Sequence, residues 1–290
     1  MAIAEYTGLE APVPATRVGA VAELWRYPVK SMLGERVSEL LVTPSGALGD
    51  RAWALREPTS GRIASAKKYP RLLAFRAAYE TEPTSDAPGR IRIEAPGGRQ
   101  FTPEDEDASA IVSEIIGARL RFESCAGPDE RTGIDPQTVF GDVPVGELKP
   151  ESTPETMPDY FQLMSGSFLE IGPLFLLTSG SIEHLRALQG GTARVDRRRF
   201  RPNIYVDSVR AGGFVEDGWL EKTLMLGQQV ELDQFQPTLW CVTSTLAQED
   251  LPRDLSILRT AAQYHRGCLG VYASVRKAGI VRVDDTITLR

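Results

Sequence analysis

Short runs of β-branched and aromatic residues, broken by glycine or proline roughly every 10–15 residues, pattern this chain along its length. Such spacing suits small barrels and sandwiches and leaves no room for a bundle of long helices. The turns come from 26 glycines and 20 prolines, above the about 12% that the two residues average together. In the first half, Val18 to Tyr27, Val37 to Thr43, Arg51 to Arg56, Leu72 to Tyr79 and Ile91 to Ala95 are predicted strands. Thr102-Pro103 and the acids after it predict a helix that buries Ile111, Ile115 and Ile116 and stops at Gly117. The segment from Ala126 to Tyr160 is punctuated by six prolines and reads as a domain transition and a candidate lid. Beyond it, strands are expected over Phe168 to Leu177, Ile204 to Asp207, Leu239 to Thr245, Val271 to Val275 and Ile280 to Leu289. A hairpin turns at Gly227, and helices start at Thr178 and Pro252.

Several function classes are excluded at this level. The formal net charge is −6, which disfavours general binding to nucleic acid or anionic membranes. No stretch reaches the ~18 apolar residues of a membrane span, and the first residues lack the pattern of a secretory signal. Three cysteines, Cys125, Cys241 and Cys268, are too few and odd in number for a disulfide framework, so a reducing, cytoplasmic setting is expected. With only two histidines and no Gly-x-Gly, Walker, Gly-x-Ser-x-Gly or Cys-x-x-Cys pattern, the common nucleotide, hydrolase and zinc chemistries have no foothold.

Four clusters remain. Tyr27-Pro28-Val29-Lys30-Ser31, Gly49-Asp50-Arg51 and Lys67-Lys68 sit in loops that can meet at one end of a barrel. There Lys30, Arg51 and Lys67 would form an anion site, with the Ser31 hydroxyl beside them. Arg197-Arg198-Arg199-Phe200-Arg201-Pro202-Asn203 concentrates positive charge before a strand. Thr178, Ser179 and Ser181 open a helix whose free N–H groups favour an anion. Cys241 follows Trp240 in an apolar run, where a thiolate could ligate a soft metal. Each cluster also has an ordinary reading: solvated surface charge, a protected strand edge, a plain N-cap, an inert buried thiol.

Taken in order, these motifs resemble the MOSC family. Tyr27 to Ser31, Leu48-Gly49-Asp50-Arg51-Ala52-Trp53 and Ser65-Ala66-Lys67 resemble the start of its N-terminal domain. Phe200-Arg201-Pro202-Asn203-Ile204, Phe214 to Trp219 and Cys241-Val-Thr-Ser-Thr resemble its MOSC domain. The resemblance implies an α+β, β-rich fold: a flexible extension over 1–18, an N-terminal MOSC β-barrel-like domain over 19–140, and a MOSC β-barrel domain with a few helices over 141–290. It also implies a molybdenum cofactor of the molybdopterin type, held by Lys30, Ser31, Arg51 and Lys67 from one side and by Thr178, Ser181, Arg201 and Asn203 from the other. Cys241 would be the catalytic residue and the protein's ligand to molybdenum. The activity implied is an oxidoreductase acting on N-hydroxylated or related N–O and S–O groups of a small-molecule substrate, fed by a separate electron-donor protein. Two other readings stay open, a sulfur carrier with a persulfide on Cys241 and a non-catalytic cofactor-binding module. Trp240 stands where relatives often have arginine, Thr238 where the amidoxime reducers have a further cysteine, and Lys67 where they have arginine.

Overall fold

The computed structural model describes residues 15–125, 131–133, 160–162, 166–191 and 194–290. The segment read as a domain transition and lid lies outside these residues, apart from a pairing of Arg131–Gly133 with Tyr160–Gln162. The expected boundary at 140 and most of the expected extension over 1–18 lie outside them as well.

Seven strands close a barrel. Around the ring they run Thr16–Arg26, Ile204–Ser208, Leu174–Thr178, Cys268–Lys277, Val230–Leu239, Leu224–Leu226 and Thr286–Leu289, which returns to Thr16–Arg26. Closure leaves no open edge. One pair in the ring, Leu174–Thr178 with Ile204–Ser208, is parallel. A parallel pair needs a crossover, and helix α2 (Ser179–Leu188) provides it. The alternation of Leu174-Phe175-Leu176-Leu177 is read on both faces: Leu174 and Leu176 fill the barrel, while Phe175 and Leu177 pack under α2 and helix α3 (Ser256–His265). No helix among the described residues is long and apolar enough to cross a membrane.

The two halves of the sequence are interwoven. Thr16–Arg26 is the first described strand yet completes the barrel of the second half, and its register shifts between Val21 and Glu23 on the Ile204–Ser208 side. Gly279–Arg282, near the other end, pairs with Glu39–Thr43. The rest of the first half is a set of smaller sheets, Trp53–Arg56 with Arg121–Ser124 and Arg76–Thr81 with Arg90–Glu94, closed by helix α1 (Ala108–Ile116). Its own core is built on Met32, Leu72, Phe75, Ile93 and Val112. A small apolar cluster of Ala66, Leu73, Val242 and Leu246 bridges the halves.

Three local expectations are corrected. Leu72 lies in a 3-10 turn, Pro70–Ala74, and the strand begins only at Arg76. The helix expected from Thr102 starts at Ala108, because the Asp105 carboxylate accepts both the Thr102 N–H (2.8 Å) and its hydroxyl (2.9 Å), which holds the chain in a turn. The strand expected through Thr245 ends at Leu239, and Val242–Thr245 is a 3-10 turn. There the Ser244 and Thr245 hydroxyls donate to the carbonyls of Cys241 (3.1 Å) and Val242 (2.7 Å), in competition with sheet pairing.

Candidate functional site

Two loops of the first half are laced together by backbone hydrogen bonds. Lys30 N–H donates to the Trp53 carbonyl and Arg51 N–H to the Tyr27 carbonyl, both at 2.8 Å. The centre of this lacing is Asp50, whose side chain is fully buried. Its carboxylate accepts the Tyr27 N–H at 2.8 Å, the Asn203 amide at 3.0 Å and the Arg51 guanidinium. Asn203 in turn accepts the Phe175 N–H at 3.2 Å and donates to the Trp25 carbonyl at 3.3 Å. Asn203 thus ties the barrel strands to the loop that carries Arg51.

The backbone is strained where it presents these side chains. Of the eight non-glycine residues with positive φ among those described, three are Ser31 (68°), Arg51 (51°) and Arg201 (55°). A left-handed conformation costs such residues about 1–2 kcal/mol each, and it gathers where the surrounding structure enforces a functional geometry. The guanidiniums of Arg51 and Arg201 both pack on the Tyr27 ring, at 4.4 Å and 4.2 Å from its centroid.

These groups open onto one cleft. Its space, counting the open mouth, is about 860 Å³. Lys30, Ser31, Arg51 and Lys67 line it from the first half, and Arg201, Asn203 and Cys241 from the second. Lys30 Nζ donates to the Phe168 carbonyl at 2.8 Å and pairs with Glu170 at 2.9 Å. Burial pushes the Glu170 carboxyl up, but Lys30 and Lys67 outweigh it and hold it at about 2. Burial likewise pulls the Lys67 ammonium down, and Glu170 and Cys241 outweigh that and keep it above its ordinary value.

Arg201 is the least compensated cation. One guanidinium nitrogen, Nη1, donates to the Met32 carbonyl at 2.6 Å. Nη2 is buried and has no acceptor among the described residues. Burial, reinforced by the nearby Arg51, brings its pKa down to about 10. An unpaired buried donor is costly, and here it belongs to a side chain on the cleft wall.

Cys241 is half-buried and begins the Val242–Thr245 turn, its thiol donating to Thr243 Oγ1 at 3.2 Å. Trp240 anchors it: the indole N–H donates to the Leu269 carbonyl at 2.7 Å, and the ring packs edge-on against Phe175 and Phe200. The arginine expected there from relatives is thus replaced by an apolar clamp. Cys268 lies outside the cleft lining. Among the described residues, no group of three or more His, Cys, Asp or Glu could hold a metal ion. A metal at Cys241 therefore needs ligands that arrive with a cofactor.

Thr178 and Ser181 are placed elsewhere. Both are fully buried and absent from the cleft lining. The Thr178 N–H donates to Glu216 Oε1 at 2.6 Å, the Ser181 hydroxyl donates to Glu216 Oε2, and Thr178 Oγ1 caps the Ser181 N–H at 3.1 Å. Burial lifts the Glu216 carboxyl above its ordinary range against the pull of these donors. The N-terminus of α2 is thus occupied by an internal acid. Asp50, Glu170 and Glu216 were the groups that sequence reasoning passed over. Asp50 and Glu216 carried a signal, as members of the Gly49-Asp50-Arg51 and Phe214–Trp219 motifs, while Glu170 carried none.

Comparison with known proteins agrees with this architecture. The family model of the MOSC N-terminal beta barrel domain matches residues 18–131, and that of the MOSC domain matches residues 168–288. The chain belongs to the MOSC family, whose domains are associated with molybdenum cofactor binding. The mitochondrial amidoxime reducing component 2 of Homo sapiens is 26% identical over 298 residues, covering 93% of this chain and 83% of that protein. The component 2 of Macaca fascicularis is 27% identical over the same length, with the same coverage. The mitochondrial amidoxime-reducing component 1 of Mus musculus is 25% identical over 310 residues, covering 94% of this chain and 83% of that protein.

Proposed function

We propose that the cleft binds a pterin-type molybdenum cofactor with Cys241 as its protein ligand, and that the protein is an oxidoreductase that reduces N-hydroxylated small molecules. The observation that carries this reading is a thiol on the wall of a cleft whose cations exceed its acids. Among the described residues, Lys30, Lys67, Arg51 and Arg201 face only Glu170 and the buried Asp50, and Arg201 Nη2 has no acceptor. A phosphorylated ligand supplies the missing acceptor through charge-assisted hydrogen bonds.

When bound, the group supplies a two-electron reduction in which the N–O bond breaks, nitrogen gains a proton, and oxygen leaves as water with a second proton. The residues of the chain bind and orient. Arg51 and Arg201, braced on Tyr27, hold the phosphate end, and Ser31 accepts the Ala66 N–H at 3.0 Å, which fixes the loop before Lys67. Lys67 keeps a positive charge beside Cys241. The Ser244 hydroxyl holds the Cys241 carbonyl and the Thr245 hydroxyl that of Val242, which fixes the turn after the thiol, and Trp240 packs behind it. The electrons come from a separate donor protein.

Cys241→Ala and Cys268→Ala separate this reading from its rivals. In protein purified from a host that makes the cofactor, Cys241→Ala should lose amidoxime reduction with an artificial reductant by at least about 100-fold and retain less molybdenum. Cys268→Ala should keep both. Swapped effects would overturn the ligand assignment. Cyanide-releasable sulfur on Cys241 in molybdenum-free protein would point to a sulfur carrier instead.

A further inference from the structure

A second cleft adjoins the first. It is walled by the 3-10 turns Pro70–Ala74 and Val242–Thr245 and by the loop that follows to Arg253. The turn after Cys241 separates the two: Cys241 and Thr243 line the first cleft, Val242 lines the second, and Lys67 lines both. The floor of the second cleft is apolar, formed by the buried Leu73, Val242 and Leu246. Its rim carries the exposed Arg71 and Arg253. The acid on its wall, Glu249, is engaged by Arg76 and Arg198. Gln248, only 5% exposed, also lines this cleft, and its Nε2 is buried with no acceptor among the described residues. Its backbone is satisfied by a bridge to Leu251, at 3.0 and 2.8 Å, so the unpaired group is the side-chain amide alone.

Apolar floor, cationic rim and a spare amide donor specify one ligand chemistry: a compact apolar body carrying a carboxylate. The apolar body covers Leu73, Val242 and Leu246, the carboxylate meets the arginines, and an oxygen takes the Gln248 N–H. Because Lys67 and the Cys241–Val242 peptide border both clefts, a molecule seated here lies beside the proposed reaction centre. We infer that the second cleft is a substrate subsite, and that the preferred substrates are N-hydroxylated molecules bearing a carboxylate next to a small apolar group. This rests on the function proposed above for the first cleft.

The test uses the purified holoprotein and two probes that differ in charge, benzamidoxime and its 4-carboxy derivative. The carboxylated probe should show a KM about tenfold lower, a gap that narrows with added salt. The double variant Arg71→Ala/Arg253→Ala should raise that KM about tenfold. It should leave molybdenum content and kcat/KM for benzamidoxime unchanged. Binding of benzoate, followed by calorimetry, should be weakened by the same double variant. Gln248→Leu should also weaken benzoate binding, yet raise Tm by about 2–4 °C by removing a buried unpaired donor; a residue with a purely structural role would lower it. Equal KM values for the two probes, together with benzoate binding that ignores the arginine substitutions, would overturn the inference. Protein that holds no molybdenum and reduces neither probe would defeat the functional reading instead, and the benzoate titration would still decide the subsite.

Discussion

At the N-terminus of α2, Thr178 and Ser181 are fully buried and their donors end on Glu216. In the cleft beside Cys241, Arg201 is also buried, and one of its nitrogens has no acceptor among the described residues. Residue type marks both places as anion sites, one by helix dipole and hydroxyls, the other by guanidinium. They differ in whether the fold brings an acid within reach. Where it does, the donors stabilise the fold. Where it does not, a donor is left unpaired at a cost in stability, which the proposed ligand would offset. The arginine run repeats the lesson within five residues: Arg197 pairs with Glu23 and Arg198 with Asp196, Glu249 and Asp250, while Arg199 donates to three carbonyls. Arg201 alone of the four faces the cleft with a donor unspent.

Substitutions at the two places sharpen or break this comparison. The largest effect on stability is expected from Glu216→Leu, which strands the Thr178 N–H and the Ser181 hydroxyl. Urea unfolding should show a loss of about 3 kcal/mol, and Glu216→Gln, which keeps an acceptor, about 1 kcal/mol. Arg201→Ala should lower molybdenum retained after dialysis by tenfold or more, corresponding to about 1.5–3 kcal/mol of charge-assisted bonding.

Next in size is a pH effect. The Glu170 carboxyl is held at about 2, below its ordinary 4.5. Its contribution is therefore present above the unfolded value and is lost as pH falls from about 4.5 toward 2. Glu170→Gln should flatten the stability profile across that window, measured by thermal unfolding. The smallest effect is Thr178→Ala, which removes a cap at a cost of about 1 kcal/mol and should leave molybdenum per chain unchanged. A loss of molybdenum in Thr178→Ala or Glu216→Gln protein would break the comparison, because the helix end would then be part of the ligand site.

The cations of the cleft were legible in the sequence because Lys30, Arg51, Lys67 and Arg201 stand in loops between strands, beside Gly and Pro that fix the turns. The acids that decide which cations are spent were not. Glu170 sits in an irregular segment and Glu216 in the short 3-10 turn Val215–Trp219, where a glutamate looks like any solvated charge until the chain folds around it. Periodicity also failed at Leu239 to Thr245. An apolar, β-branched run has the pattern of a strand, but the serine and threonine hydroxyls bend it into the turn that presents Cys241. The β-rich character and the helix capped by Thr178 followed from local pattern, and the α+β class from the resemblance. The exchange that sends Thr16–Arg26 into the barrel of the second half did not, since strand partners far apart in sequence leave no local mark.

The central claim is that this cleft holds a molybdenum cofactor. The most direct measurement is the molybdenum and oxidised-pterin content of the wild-type protein, freshly purified from a host that makes the cofactor. The account predicts close to one molybdenum and one pterin per chain; protein that is fully folded and carries neither would contradict it.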